Sequence, residues 1–423
     1  MLIDEFAKQH ALSVDTLRHY MSLGLLVVEK QGEQYIFDDQ NGEDLVQLLG
    51  LKSVGFSLEE VKLIFMFQRL GHMTDYQRDV YYQRLFSDKH KAIEREVNEK
   101  QAALDRLVEA EAALKEMARP ANQLVGVPLS ALELLSCPAC QSTFRLDNEA
   151  QVVDEKIQNA RMSCDCGNVM VIDEGILYAT PSDISIATED SEKTMLNEAA
   201  PAPQTSVLEA YLTTNHETYL GRVYEGLNWL SSRVDFSEFH VAMEIGSGFG
   251  FYLRTFYDQL PEDMLYIAVD RDPERHRFLK QILEAGTGSK KILQICCSFE
   301  SIPLKPESVD CVLDFSGTSN YSFEHADFLL DRINQFVTPE ASLYASYIIF
   351  EKFGLQTRIP PNNREHFKEE RIRENLAELG FNFVEACNTQ ATDQGGFYED
   401  FFQPDESVRT FLCVAKRLGM QFV

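Results

Sequence analysis

Positive charge is scarce in this chain: 39 lysine and arginine residues stand against 67 aspartate and glutamate residues, a formal charge of −28. A surface of that sign repels phosphate backbones, which excludes binding to nucleic acid by general electrostatics and leaves only a local contact face. Long hydrophobic runs are missing as well. No stretch of about 18 apolar residues occurs, so no membrane-spanning helix is expected. The opening MLIDEFAKQH carries acids where a secretion signal would be basic and then apolar, and we expect a cytoplasmic protein. A disulfide framework is also lacking. The nine cysteines form two close pairs in one short region plus scattered singles, which in a reducing compartment suggests one metal site and ordinary buried thiols. Core material is not in short supply: 44% of the 423 residues are apolar, enough for roughly two to four domains of about 100–200 residues each.

In IDEFAKQHALSVDTLRHYMSLGLL, apolar residues at Ile3, Phe6 and Ala7, then Val14 and Leu17, suit two short helices crossing over a small core, a helix-turn-helix pattern. Ser13 is placed to cap the second helix and Gly24 to end it, while Ser57 and Glu60 read as a capping box after Gly55. Between them QGEQYIFD alternates like a small hairpin wing. Residues 2–66, including SVDTLRHYMSLGLL and GFSLEEVKLIF, resemble the MerR family of winged-helix regulators. The resemblance implies phosphate contacts from Arg18 and Tyr20 and a basic wing, in which Lys30 is present but Gln34 stands where that family usually has arginine. Up to residue 70 six bases face eleven acids, so a fold kept only for dimerisation or domain contacts is the competing reading. From Asp79 to Met117 glycine and proline are absent, and Ile93, Val97, Leu104, Leu107 and Leu114 follow a near 4-3 spacing broken by Lys100 and Glu111. The resemblance implies an antiparallel coiled-coil homodimer; the alternative is a long solvated helix.

LSCPACQSTF supplies Cys137 and Cys140, and MSCDCGNVMVIDEGI supplies Cys164 and Cys166. Two thiolate pairs on tight turns can close a tetrahedron around zinc, with free thiols as the alternative. Four cysteines leave no open coordination position, so such a metal is structural. Residues 132–181 resemble the small zinc ribbons that partner methyltransferases, which implies a ribbon lying against the catalytic domain that follows.

MEIGSGFGF, residues 243–251, reads as a buried strand turning sharply into a helix, with an acid, Glu244, before Gly246, Gly248 and Gly250. Such a turn lets backbone approach a nucleotide-like ligand. No lysine follows Gly250, which excludes a phosphate-cradling loop of the GxxxxGK type, and Phe251 stands where a dinucleotide fingerprint needs its third glycine. The remaining form, an acid before GxGxG, resembles motif I of the class I S-adenosylmethionine-dependent methyltransferases. LYIAVDRD ends a strand at Asp270, about twenty residues on, where a carboxylate suits two ribose hydroxyls. The resemblance implies a cofactor site of Glu244, Gly246, Gly248, Gly250, Asp270, Arg271, Ser298, Phe299 and Asp314; Ser298 replaces the usual aspartate beside the adenine.

The expected fold is multidomain α/β: a winged helix-turn-helix (1–70), a dimerisation helix (71–120), a zinc ribbon (130–182), a linker (183–204) and a Rossmann-like seven-stranded methyltransferase domain (205–423). No catalytic residue is assigned, because methyl transfer depends chiefly on alignment and desolvation. Asn320, Tyr321, His325, Tyr347 and Glu351 are the side chains expected near an acceptor, and GGFYEDFFQP is read as core or pocket lining. Two functions compete: an enzyme acting on a small molecule, and a MerR-type regulator whose methyltransferase-like domain senses S-adenosylmethionine or a metabolite.

Overall fold

The computed structural model describes residues 1–32, 34–71, 74–117, 123–179, 211–286, 288–395, 403 and 405–418. The expected linker and most of GGFYEDFFQP lie outside the described residues. Two compact units are present, Met1–Arg119 and Pro120–Val423.

The first unit is helical. α1 (Ile3–Gln9) and α2 (Val14–Ser22) cross over Phe6, Leu17 and Tyr20, with the Thr16 amide donating to the capping Ser13 hydroxyl at 3.0 Å. Gly24 takes φ +75°, the left-handed conformation that lets the chain leave α2. The wing is β1 (Glu29–Gln31) paired antiparallel with β2 (Gln34–Ile36). α3 (Asp39–Ser53) and α4 (Leu58–Leu70) complete the core through Leu45, Leu48, Val61 and Ile64, and Ser57 with Glu60 forms a reciprocal capping box. Glu60 also receives Lys89 at 2.7 Å, tying α4 to the 43-residue α5 (Asp75–Met117). At about 1.5 Å per residue α5 is roughly 65 Å long, and beyond Ile93 its side chains are exposed as far as Lys115.

The second unit is built on one continuous sheet. Seven strands are β9 (Val241–Ile245), β10 (Leu265–Asp270), β11 (Lys291–Cys296), β12 (Val309–Phe315), β13 (Val337–Lys352), β14 (Phe381–Asn388) and β15 (Ser407–Arg417). Their order is β14-β15-β13-β12-β9-β10-β11. β9 to β13 run parallel, and β15 is antiparallel to both its neighbours. The order reverses between β9 and β12, the switch point at which doubly wound sheets bind ligands beyond their strand ends. One face packs α6 (Glu217–Ser231) and α7 (Phe251–Phe256) through Leu230, Tyr252 and Phe256; the other buries Met243, Val312 and Ile349.

The ribbon precedes this sheet and extends it. β3 (Val127–Pro128), β4 (Arg145–Leu146), β5 (Gln151–Val153), β6 (Lys156–Ser163), β7 (Val169–Asp173) and β8 (Ile176–Tyr178) form antiparallel ladders, and β8 pairs parallel with β11 through Leu177 and Ile295. Ribbon residues Ile157, Met170 and Leu177 share one core with Leu293, Ile295 and Leu304. The edge of β11, which would otherwise offer unpaired backbone groups, is thereby covered.

Candidate functional site

The glycine turn lies at the switch point. Gly246, Gly248 and Gly250 adopt φ +67°, +50° and +70°, a region side-chain-bearing residues rarely enter. The amides of Gly246 and Ser247 both donate to the Val269 carbonyl at 2.9 and 3.0 Å, fastening the turn to β10. A Cβ on Gly250 would lie 2.4 Å from Leu279 in α8 (Pro273–Glu284), so the third glycine allows a helix to pack on the turn. A Cβ on Gly317, at the end of β12, would lie 2.2 Å from the Ile245 carbonyl, so the two strand-end turns flanking the switch point touch.

Asp270 is buried beside this turn. Its Oδ2 accepts the Gly248 amide at 2.8 Å and its Oδ1 the Asp272 amide at 2.9 Å. A carboxylate has about four lone-pair sites, so two remain for hydroxyl donors. Glu244 is buried on the α7 side of β9, where its carboxyl meets the Tyr252 and Leu253 amides just after the turn. Burial raises its pKa to about 8, against the opposing effect of the Tyr266 hydroxyl, which donates to it at 2.8 Å. It is therefore mostly neutral near pH 7 and supports the turn from below. Asp314 is fully buried, pushed up to about 6 by burial; its Oδ1 accepts the Thr318 amide at 3.0 Å and caps α9 (Gly317–Ser322). Its carboxyl also faces the buried Tyr347 hydroxyl, while the buried Ser247 hydroxyl in the glycine turn has no hydrogen bond among the described residues.

The remaining expected positions line the outer side. Arg271 is exposed and pairs with Glu324 at 3.1 Å. Ser298 is exposed, its hydroxyl 3.1 Å from that of Ser301, and the half-buried Phe299 ring meets Tyr321 edge-on at 5.9 Å. Tyr321 in turn stacks on His325 at 4.0 Å and donates to Asp327, while Glu351 is ion-paired with Arg409. Asn320 is exposed, and Tyr347 is fully buried. Sequence reasoning missed Arg222, which is 5% exposed on α6 with Nε and Nη1 lacking any hydrogen bond. The available signal was a lone arginine within the buried helical stripe Tyr219, Arg222, Gly226 and Leu230.

Away from the crevice, the four cysteines converge. The Sγ atoms of Cys137, Cys140, Cys164 and Cys166 all lie within 4.8 Å of one another. A tetrahedron with metal–sulfur bonds of about 2.3 Å has sulfurs about 3.8 Å apart, so the cluster fits a four-sulfur metal site. Asn168 Nδ2 donates to Cys137 Sγ at 3.4 Å, the kind of second contact that orients a thiolate. In the first unit Arg18 is exposed beside Asp15, and Lys30 is exposed over the Tyr35 ring. Tyr20 is instead buried, its hydroxyl accepting from Lys52 Nζ at 3.2 Å.

A winged helix-turn-helix in one unit and a doubly wound sheet with a glycine turn at its switch point in the other define a two-part chain, a helical module followed by an α/β domain. The first is a MerR-type module: residues 1–66 match the family model described as MerR HTH family regulatory protein. No curated protein matches the chain. Among solved structures, a SAM dependent methyltransferase from Aquifex aeolicus aligns over 51% of this chain and 100% of its own, at 16% identity and TM-score 0.35. A cyclopropane synthase from Mycobacterium tuberculosis aligns over 46% and 84%, at 13% and 0.35. A putative sarcosine dimethylglycine methyltransferase from Galdieria sulphuraria aligns over 46% and 86%, at 11% and 0.34. The chain's own strand order defines the sheet as doubly wound. No described helix is long and apolar enough to cross a membrane.

Proposed function

We propose that the C-terminal unit is an S-adenosylmethionine-dependent methyltransferase acting on a small-molecule acceptor, stapled by a structural zinc ion in its ribbon. The MerR-type module is proposed to dimerise through α5 and to meet DNA through the exposed Arg18 and Lys30, the buried Tyr20 holding Lys52 behind them. The observation carrying the reading is the coupling of Asp270 to Gly248: the carboxylate suited to a ribose is held by the turn suited to the amino-acid tail.

When bound, S-adenosylmethionine supplies an electrophilic methyl group on a sulfonium. Asp270 would receive the ribose hydroxyls with its two remaining lone-pair sites, and the open backbone of Gly246 to Gly250 would accommodate the tail. Phe299 and the backbone around Ser298 would border the adenine. Buried as a neutral acid, Glu244 adds no charge next to the sulfonium side of the turn and holds the strand to β10 through Tyr266. Tyr321, His325 and Glu351 are already engaged, so this unit contributes alignment and exclusion of water more than proton transfer.

Calorimetry with S-adenosylhomocysteine tests the reading. Asp270→Ala should weaken binding at least about 10-fold, in line with the roughly 1.5–3 kcal/mol of a charged hydrogen bond; equal affinity in variant and wild type would end it. Turnover of labelled methyl groups across a panel of small metabolites then tests transfer. The engagement of the three acceptor-side residues also favours a sensing regulator, for which S-adenosylhomocysteine would alter promoter binding without any turnover.

A further inference from the structure

Arg222 is a buried cation that has no counter-charge among the described residues. Its Nε and Nη1 find no hydrogen-bond partner, it forms no ion pair among the described residues, and its guanidinium stacks 4.6 Å over the Tyr219 ring of its own helix. Leaving a charge buried and unpaired is costly, so its retention calls for a ligand that supplies the missing charge.

The position on α6 shows where that ligand would sit. Leu230 lies in the core against the sheet, and four residues earlier a Cβ on Gly226 would touch Leu412 at 3.4 Å and Phe315 at 3.8 Å. Phe315 is the last residue of β12. Arg222 lies one further turn along, about 6 Å, and helical side chains lean toward the helix N-terminus. The side chain is thus directed toward the strand-end side of the sheet, the side on which the glycine turn lies. The Phe315 ring also meets Tyr252, in the first turn of α7, at 4.9 Å, and the fully buried Tyr252 hydroxyl likewise has no hydrogen bond. Arginine presents a planar fork of donors matched to a carboxylate.

We infer that Arg222 is a carboxylate-binding residue of the crevice, its fork receiving an anionic ligand group beside the glycine turn. Two sources carry that chemistry: the amino-acid end of the nucleoside, an arm that rests on the methyltransferase reading, and an anionic acceptor. The experiment compares wild type with Arg222→Met and Arg222→Lys, using S-adenosylhomocysteine, 5′-methylthioadenosine, which lacks the carboxylate, and benzoate. A loss of at least about 30-fold for S-adenosylhomocysteine, with less than about threefold for 5′-methylthioadenosine, assigns the carboxylate to the cofactor. Unchanged nucleoside binding, with benzoate raising the melting temperature of the wild type and not of R222M, assigns it to an acceptor. Without ligand R222M should melt higher than wild type, because it removes an uncompensated charge; a structural arginine would give the opposite shift. Equal losses for both nucleosides, or no change for any probe, overturns the inference. If R222M does not fold, R222K must show the same selectivity at smaller amplitude, and its failure to do so overturns the inference equally. Wild type that binds neither nucleoside refutes the methyltransferase reading alone, since the benzoate and melting arms still test Arg222.

Discussion

Burial holds the Glu244 carboxyl at about 8 from a usual 4.5, and the Asp314 carboxyl at about 6 from a usual 3.8. Below pH 4.5 the Glu244 proton is bound in both folded and unfolded chains. Between 4.5 and 8 the folded chain alone retains it, so rising pH favours unfolding throughout that window, and the loss is complete above 8. Asp314 acts in the same direction over the narrower window from 3.8 to 6. Glu244→Gln keeps an acceptor for the Tyr266 hydroxyl and does not titrate. Melting curves should therefore show E244Q gaining on wild type as pH rises from 5 to 8.5, by on the order of a few kcal/mol at the upper end. Parallel pH profiles would mean that Glu244 is ionised in the fold. The acid before the glycines was legible in the sequence, but its surroundings were not, because the burial and the Tyr266 hydroxyl that hold it come from elements distant in the chain. Arg222 left only a faint mark: a single arginine whose helical spacing is otherwise that of an ordinary core position.

At the scale of elements, α5 leaves Val97, Leu104, Leu107 and Leu114 at 59%, 51%, 66% and 66% exposure. Their seam spacing and the long exposed half of the helix support pairing with a second copy. Leu104→Asp with Leu107→Asp should convert a dimer to a monomer in sedimentation equilibrium at micromolar concentration, while far-ultraviolet dichroism loses little helix from the first unit. A wild type that sediments as a monomer would remove α5 as a dimerisation element. The local elements were largely readable: the Ser13 cap, the Ser57 and Glu60 capping box, the positive φ of Gly24 and the hairpin wing each follow from chemistry within four or five residues. The seven strands of the sheet were readable by their apolar runs. The β8–β11 pairing was not, because a parallel junction between distant strands leaves no periodic mark; the resemblance implied only that the ribbon lies nearby.

Across the second unit, that junction makes the ribbon part of the doubly wound sheet. Besides β8 on β11, the Ser136 amide donates to the Pro303 carbonyl at 3.0 Å and the Ser136 hydroxyl to the Leu304 carbonyl at 2.9 Å. The Lys305 amide returns a bond to Leu134 at 2.8 Å. Ser136 adjoins Cys137, and Pro303 follows closely on the Phe299–Ser301 turn that borders the proposed adenine site. Metal held by the four cysteines would therefore fix a loop of the crevice as well as the ribbon. Structural zinc contributes roughly 10–16 kcal/mol in zinc-finger peptides, and an element sharing its core with a sheet cannot melt alone without exposing that core. Chelation of the metal, or Cys164→Ser, should lower the melting temperature of the second unit as one transition, by about 10 °C or more, and weaken S-adenosylhomocysteine several-fold. A separate low-temperature ribbon transition, with the main transition and the affinity unmoved, would show the shared core to be energetically divisible. Melting of the first unit should not respond to the metal at all, because its core of Phe6, Leu17, Leu45 and Ile64 closes without any ribbon residue.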